Sequence, residues 1–198
     1  MKRIFEKITQ ALIENGNIDK EEEEVYQYAL QSALILGGNI ALSLMIGICI
    51  GTPQYCILFL CVLIPLRSDA GGYHAANLFI CYLLSFVSLI LTMLGAKNTG
   101  WVQLGLVAIV SLCALVIIFL FAPLESKNKP IETCEGRSIK RRARVIVCLE
   151  WFIGAICLIW NRSAAWTIWS AIGWCGIGYI AWFLEGNKLE RDINGRLF

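Results

Sequence analysis

The chain has 198 residues, 58% of them hydrophobic and only 16% charged, with a mean hydropathy of +0.66 and a formal net charge of +2. So little charge over this length excludes an ordinary soluble domain, and so small a net charge gives no reason to expect a nucleic-acid partner. The apolar residues fall in blocks long enough to cross a bilayer, at about 20 residues per helix, which predicts one integral membrane domain over residues 1–198.

Residues 1–27 read as a charged, amphipathic cytoplasmic segment, with Ile4, Phe5, Ile8, Ala11 and Leu12 on one helical face and no apolar core of the kind a cleaved signal peptide carries. Glu21–Glu24 form a solvated face before the first apolar block. Six apolar segments follow, at 28–50, 53–66, 74–96, 101–121, 145–160 and 164–184. The second ends near Pro65 and covers roughly 20 Å as a helix against a hydrocarbon core of roughly 30 Å. It therefore reads as a thin span, a tilted partner of the next helix, or a re-entrant element. The fold expected is all-α: a polytopic membrane protein of about six transmembrane helices with an N-terminal amphipathic helix.

Sidedness follows from the basic residues. The 122–144 segment, read as a loop, holds Lys127, Lys129, Arg137, Lys140, Arg141, Arg142 and Arg144, whereas the opposite turns offer only Lys97 and Arg162. The loop is expected in the cytoplasm, and two full spans back from it place Arg67–His74 on the same side. Its basic cluster is expected to meet anionic lipid heads. Glu150, six residues beyond Arg144, is expected near the same interface and paired to that loop. Trp101, Trp160 and Trp166 sit at the outer ends of segments, where indole rings anchor at the interface. Gly173, Gly176 and Gly178 predict close approach of a neighbouring helix. The nine cysteines contain no CxxC pair. Seven of them (Cys49, Cys56, Cys61, Cys113, Cys148, Cys157 and Cys175) are scattered through apolar blocks, which predicts packing roles. Neither a metal nor an organic cofactor is expected.

Chemistry concentrates in residues 67–81, RSDAGGYHAANLFIC. His74 is the single histidine of the chain, and Cys81 follows it by seven residues at the mouth of an apolar segment. Ionisable groups at a membrane boundary are costly and are functional candidates by default, and a cysteine near a histidine is a recurring nucleophile and base. On an unbroken helix the two would share a face within roughly 20° but stand about 10 Å apart along the axis. That exceeds the roughly 2.6–3.2 Å needed for proton transfer. Joint action therefore requires a turn, which Gly71-Gly72 permit, or a His74 that folds back from a loop over the helix mouth. In such a site Arg67 would hold the thiolate or the developing oxyanion, and Asp69 would orient the imidazole. The competing reading makes His74 an interfacial helix cap and Cys81 a packing residue.

The stretch from Arg67 to His74 with Cys81, together with Phe121-Ala-Pro-Leu-Glu-Ser-Lys-Asn-Lys-Pro130-Ile in the basic loop, resembles the accessory gene regulator protein B (AgrB) family, polytopic membrane peptidases of Gram-positive bacteria. The resemblance implies a cysteine endopeptidase in the bacterial cell membrane, with its site facing the cytoplasm. Cys81 would be the nucleophile and His74 the base, supported by Arg67, Asp69, Gly71 and Gly72. The implied substrate is a small AgrD-like autoinducer propeptide that loses its C-terminal tail. An acyl-enzyme thioester would then pass to a cysteine or serine of the propeptide, closing a thiolactone or lactone. A homodimer is compatible with glycine-lined helix faces. The alternative from another class is a small peptide transporter, or a structural membrane subunit, in which Glu150 and the glycine-rich last span matter more than Cys81.

Overall fold

The computed structural model describes residues 23–70, 78–123 and 133–194, together with Thr9. Among the described residues every regular element is an α-helix: α1 (Glu23–Ile50), α2 (Pro53–Ala70), α3 (Leu78–Lys97), α4 (Trp101–Phe121), α5 (Thr133–Trp160) and α6 (Arg162–Asn194). The chain falls into two compact units, residues 1–45 and 46–198. Among the described residues three stretches are long and apolar enough to cross a membrane: Trp101–Phe121, Gly136–Trp160 and Arg162–Leu184. Leu36–Ile50 and Leu83–Lys97 are apolar but shorter. The expected N-terminal amphipathic helix lies outside the described residues.

The first unit contains most of α1, where Gln27 Nε2 donates to Glu23 Oε1 at 3.1 Å, one turn apart. The second unit begins with the end of that helix. Gly51 takes φ +79°, a left-handed conformation that costs glycine little. Its N–H bonds Ile48 O at 2.9 Å and the next N–H, from Thr52, bonds Gly47 O at 2.8 Å, the double closure that satisfies orphan carbonyls at a helix end. Pro53 then opens α2 at the first helical position, where its missing N–H costs nothing.

Four helices of the second unit (α2, α3, α4 and α5) all pack on α6. The sequence of α6 explains this. Ala164, Ala165, Ala171, Gly173 and Gly176 are small and buried, and among them Thr167, Ile168, Trp169, Ser170, Ile172 and Tyr179 fill the gaps. Small residues let helix axes approach closely where no hydrophobic drive separates protein from lipid. Gly176 meets Ala114 of α4, and Gly173 meets Val110 Cγ1 at 3.4 Å from where its Cβ would be. This glycine face, expected to receive a neighbouring helix, is filled by α4 of the same chain. On the outside, Leu83, Leu91, Leu106, Ile109, Leu149, Phe152 and Ile156 are exposed. Apolar exposure on this scale marks a lipid-facing surface.

Contacts at the two ends fix the helix directions. At one end Tyr55 donates to Asn161 Oδ1 at 3.3 Å, and Arg162 lies over the Trp101 ring at 4.9 Å. At the other, Tyr179 donates to Ala70 O, the Phe121 and Phe183 rings sit 5.0 Å apart, and Arg144 lies over Phe119 at 4.6 Å. So α2, α4 and α6 run one way, and α3 and α5 return. The segment read as 53–66 is an 18-residue helix reaching Ala70, or about 27 Å long. It accompanies α6 from Asn161 to Tyr179. Its buried stripe of Cys56, Phe59, Val62, Leu66 and Ala70 continues past Pro65 to the end.

Two further expectations change. The basic residues from Arg137 to Arg144 are not on a loop but on the first turns of α5, which begins at Thr133. Arginine and lysine are good helix formers, and the buried Ala143 and Val147 carry the packed stripe between exposed Arg141, Arg142 and Val145. Trp101 and Trp160 are 67% and 79% exposed, as interfacial anchors should be, but Trp166 turns inward and donates to Thr92 O at 3.0 Å. An indole N–H inside a bundle needs an acceptor, and α3 supplies it.

Candidate active site

The sequence-predicted site straddles the junction of α2 and α3. Arg67 and Asp69 lie in the last turn of α2, both half-buried. Cys81 is the fourth residue of α3, so its backbone belongs to that helix's first turn. Gly71, Gly72 and His74, like the Cys81 side chain, lie outside the described residues.

The end of α2 is held in place from across the bundle. A helix terminus leaves its last carbonyls without intrahelical donors. Buried Ala70 offers one of them, and Tyr179, 0% exposed on α6, donates its hydroxyl to it. Two residues back, Ser68 Oγ donates to Pro65 O within the last turns of the same helix, at 3.0 Å. The sequence reading did not single out Tyr179. The available signal was a tyrosine in an apolar span, whose hydroxyl needs an acceptor once buried.

α3 is fixed to α6 farther along. Thr92 forms the joint: its carbonyl accepts from Trp166, its hydroxyl accepts from Trp174 Nε1 at 3.2 Å, and the same hydroxyl donates to Ser88 O at 2.8 Å. Leu89, Met93 and Ala96 are buried on this face. Leu83, Leu84 and Val87, between Cys81 and that joint, are exposed.

Glu150 overturns its expected place. The sequence places it at the interface as a partner of the basic segment, yet it is 8% exposed, and its Oε2 has no hydrogen-bond partner among the described residues. The neighbouring Trp151 donates Nε1 to Ser111 Oγ at 3.1 Å, and Ser111 is the middle residue of α4. Glu150 therefore stands near mid-depth of the bundle. The reason is the early start of α5, which puts Glu150 seventeen residues into the helix, about 26 Å from its first residue. Arg144 is engaged elsewhere, with Nε on Phe119 O at 2.9 Å.

The arrangement thus brings a guanidinium and a carboxylate to the end of α2 and a cysteine to the start of α3. This is also the end of the bundle where the basic turns of α5 begin. A model of the family described as accessory gene regulator B matches residues 5–182. AgrB-like protein 2 of Clostridium perfringens (strain 13 / Type A) is 26% identical over 188 residues, covering 91% of this chain and 86% of the relative. An AgrB-like protein of C. perfringens (strain SM101 / Type A) matches to the same extent, 26% over 188 residues. Protein FsrB of Enterococcus faecalis (strain ATCC 47077 / OG1RF) is 29% identical over 112 residues, 56% of this chain and 46% of its own length. No solved structure matches.

Proposed function

The chain belongs to the accessory gene regulator B family, and on that premise we propose that it is a membrane cysteine endopeptidase that trims and cyclises a quorum-sensing propeptide. The observation that carries this reading is the α2–α3 junction. Arg67, Asp69 and the backbone of Cys81 border one short segment containing the single histidine, at the end of the bundle where the basic turns of α5 lie. In this reading the six apolar helices of one membrane domain all cross, with that end in the cytoplasm by the positive-inside rule.

The chemistry assigns each group one task. His74 takes the Cys81 thiol proton, and the thiolate attacks the propeptide carbonyl carbon at the start of the C-terminal tail. Arg67 stabilises the oxyanion that forms, and Asp69 orients the imidazole. The C–N bond breaks, His74 returns the proton to the leaving amine, and the tail departs. A cysteine thiol or serine hydroxyl of the propeptide then attacks the thioester carbonyl, closing the ring and restoring the Cys81 thiol. One thioester replaces another in the thiolactone case, so that step needs no further source of free energy.

The test is co-expression in a heterologous host with a tagged small propeptide encoded beside this protein. Propeptide size is followed by immunoblot for wild type, Cys81→Ala and His74→Ala. Loss of a tail-sized fragment with wild type and in neither variant is the expected result. Cleavage that survives Cys81→Ala removes the nucleophile and the mechanism with it, whereas no cleavage by wild type verified in the membrane favours the transporter alternative.

A further inference from the structure

The first turns of α5 are basic and its later turns apolar, and one side of the helix carries both. Arg137, Lys140, Arg141 and Arg144 stand at i, i+3, i+4 and i+7, and Val145, Cys148, Leu149 and Phe152 repeat that spacing directly after them. Residues so spaced line up along one side of a helix. Arg137, Arg141, Val145, Leu149 and Phe152 are exposed, so this side looks outward from the bundle. Where α5 packs on α4 it forms a groove of about 340 Å³, lined by Phe119, Arg144, Val145, Cys148, Leu149 and Phe152. Arg144 closes one end of the groove, and the rest of the lining is apolar.

Arg144 is set up for an anionic partner. Its Nε donates to Phe119 O at 2.9 Å, one of the last carbonyls of α4, and its guanidinium lies over the Phe119 ring at 4.6 Å. These contacts orient the planar fork, and among the described residues no acceptor bonds its Nη groups. Such a fork meets a phosphate with two N–H groups at once. The depth fits as well. Ser111 is the middle residue of α4 and Phe119 lies eight residues on, about 12 Å along the axis. In a hydrocarbon core of about 30 Å this sets Arg144 near the headgroup boundary. Phe152, next to the Trp151 that bonds Ser111, marks the mid-depth end of the groove.

We propose that this side of α5 binds one anionic phospholipid, with its phosphate on Arg144, Lys140 and Arg141 beside it, and an acyl chain in the groove toward Phe152. The cations attract a negative headgroup, and the exposed apolar wall gains by covering the chain. A free phosphate makes no use of the apolar groove, and a zwitterionic lipid brings a further cation to a face that is already basic. The site lies on the outside of α4 and α5 and is independent of the reaction the chain performs.

The experiment uses full-length protein, stripped of lipid in detergent and titrated with dioleoyl phosphatidylglycerol, dioleoyl phosphatidylcholine or glycerol phosphate. Native mass spectrometry counts the bound lipid, and Tm is followed in parallel. Phosphatidylglycerol should give one saturable adduct and a rise in Tm, with affinity at least about ten-fold above that of phosphatidylcholine. Glycerol phosphate should give neither. Arg144→Gln should weaken phosphatidylglycerol about ten-fold, as the loss of charge-assisted bonds does. Cys148→Phe keeps every charge and the bond to Phe119 but fills the groove, so it should weaken the lipid as much, and it decides even if Arg144→Gln fails to accumulate. Arg142→Gln removes a charge of the same turn outside this series and should change affinity by less than about two-fold. Equal binding of the two phospholipids, a shift with glycerol phosphate alone, or unchanged affinity in Arg144→Gln or Cys148→Phe would each overturn the proposal. So would a protein dimer that Cys148→Phe dissolves, because the groove would then hold a second copy of the chain.

Discussion

The close approach of α4 and α6 at Gly176 makes a prediction with an internal control. A Cβ built on Gly176 meets Ala114 Cα at 2.9 Å, and Ala114 Cβ closer still. Ordinary carbon contacts are about 3.5–4.0 Å, so Gly176→Ala forces α4 and α6 apart by about 1 Å or tilts one of them. Overpacking of this kind costs about 1–3 kcal/mol, and the better helix propensity of alanine returns about 1 kcal/mol at most. The net loss is therefore up to about 3 kcal/mol, or a fall in Tm of up to about 12 °C for a chain of this size. Gly105, on α4, supplies the control. It has nothing within 4 Å of its built Cβ, so Gly105→Ala should leave Tm unchanged or raise it slightly. Thermal unfolding of both variants in one detergent reads the contrast in sign. A Gly176→Ala protein as stable as Gly105→Ala would refute the close packing of α4 on α6.

Three other substitutions probe single joints. Tyr179→Phe removes the donor to Ala70 O and leaves a buried carbonyl unsatisfied, at about 1–3 kcal/mol; processing should fall several-fold with membrane level unchanged, measured by immunoblot. Thr92→Val removes the acceptor of Trp174 Nε1 and should cost about 1 kcal/mol, near the average for interhelical bonds in membranes, read as a small drop in Tm. Asn161→Ala removes the side-chain oxygen that accepts the Ala164 N–H at 3.1 Å and caps α6. About 1 kcal/mol is expected, and Asn161→Asp should recover most of it in the same unfolding assay.

The helices were legible where apolar residues run unbroken: 101–121 appears in the structure as α4 with the same limits. Boundaries failed where charge stood in for structure. Arg137–Arg144 were read as loop because they are basic, yet their intrinsic preference is helical and every third or fourth residue beyond them is buried. The same habit placed Glu150 at the interface by counting from Arg144, when depth depends on where the helix begins and what it packs against. Arg67 and Asp69 could be found as charges at the edge of an apolar block. Tyr179 could not be tied to them from spacing, because its link to Ala70 spans 109 positions in the chain.

Those long-range joints divide the candidate site into two arms with different supports. The Arg67 arm is tied to α6 at its very end, since Tyr179 bonds Ala70, three residues past Arg67. The Cys81 arm is tied at Ser88–Gly95, where Thr92 receives both tryptophans, with exposed Leu83, Leu84 and Val87 in between. A perturbation at Tyr179 therefore acts directly on the guanidinium side, whereas one at Thr92 reaches the cysteine only through about three turns of helix. If the site works by bringing the two arms together, Tyr179→Phe should impair processing more than Thr92→Val at equal loss of Tm. Equal impairment at equal Tm would mean that global stability, and not the placement of either arm, limits the reaction.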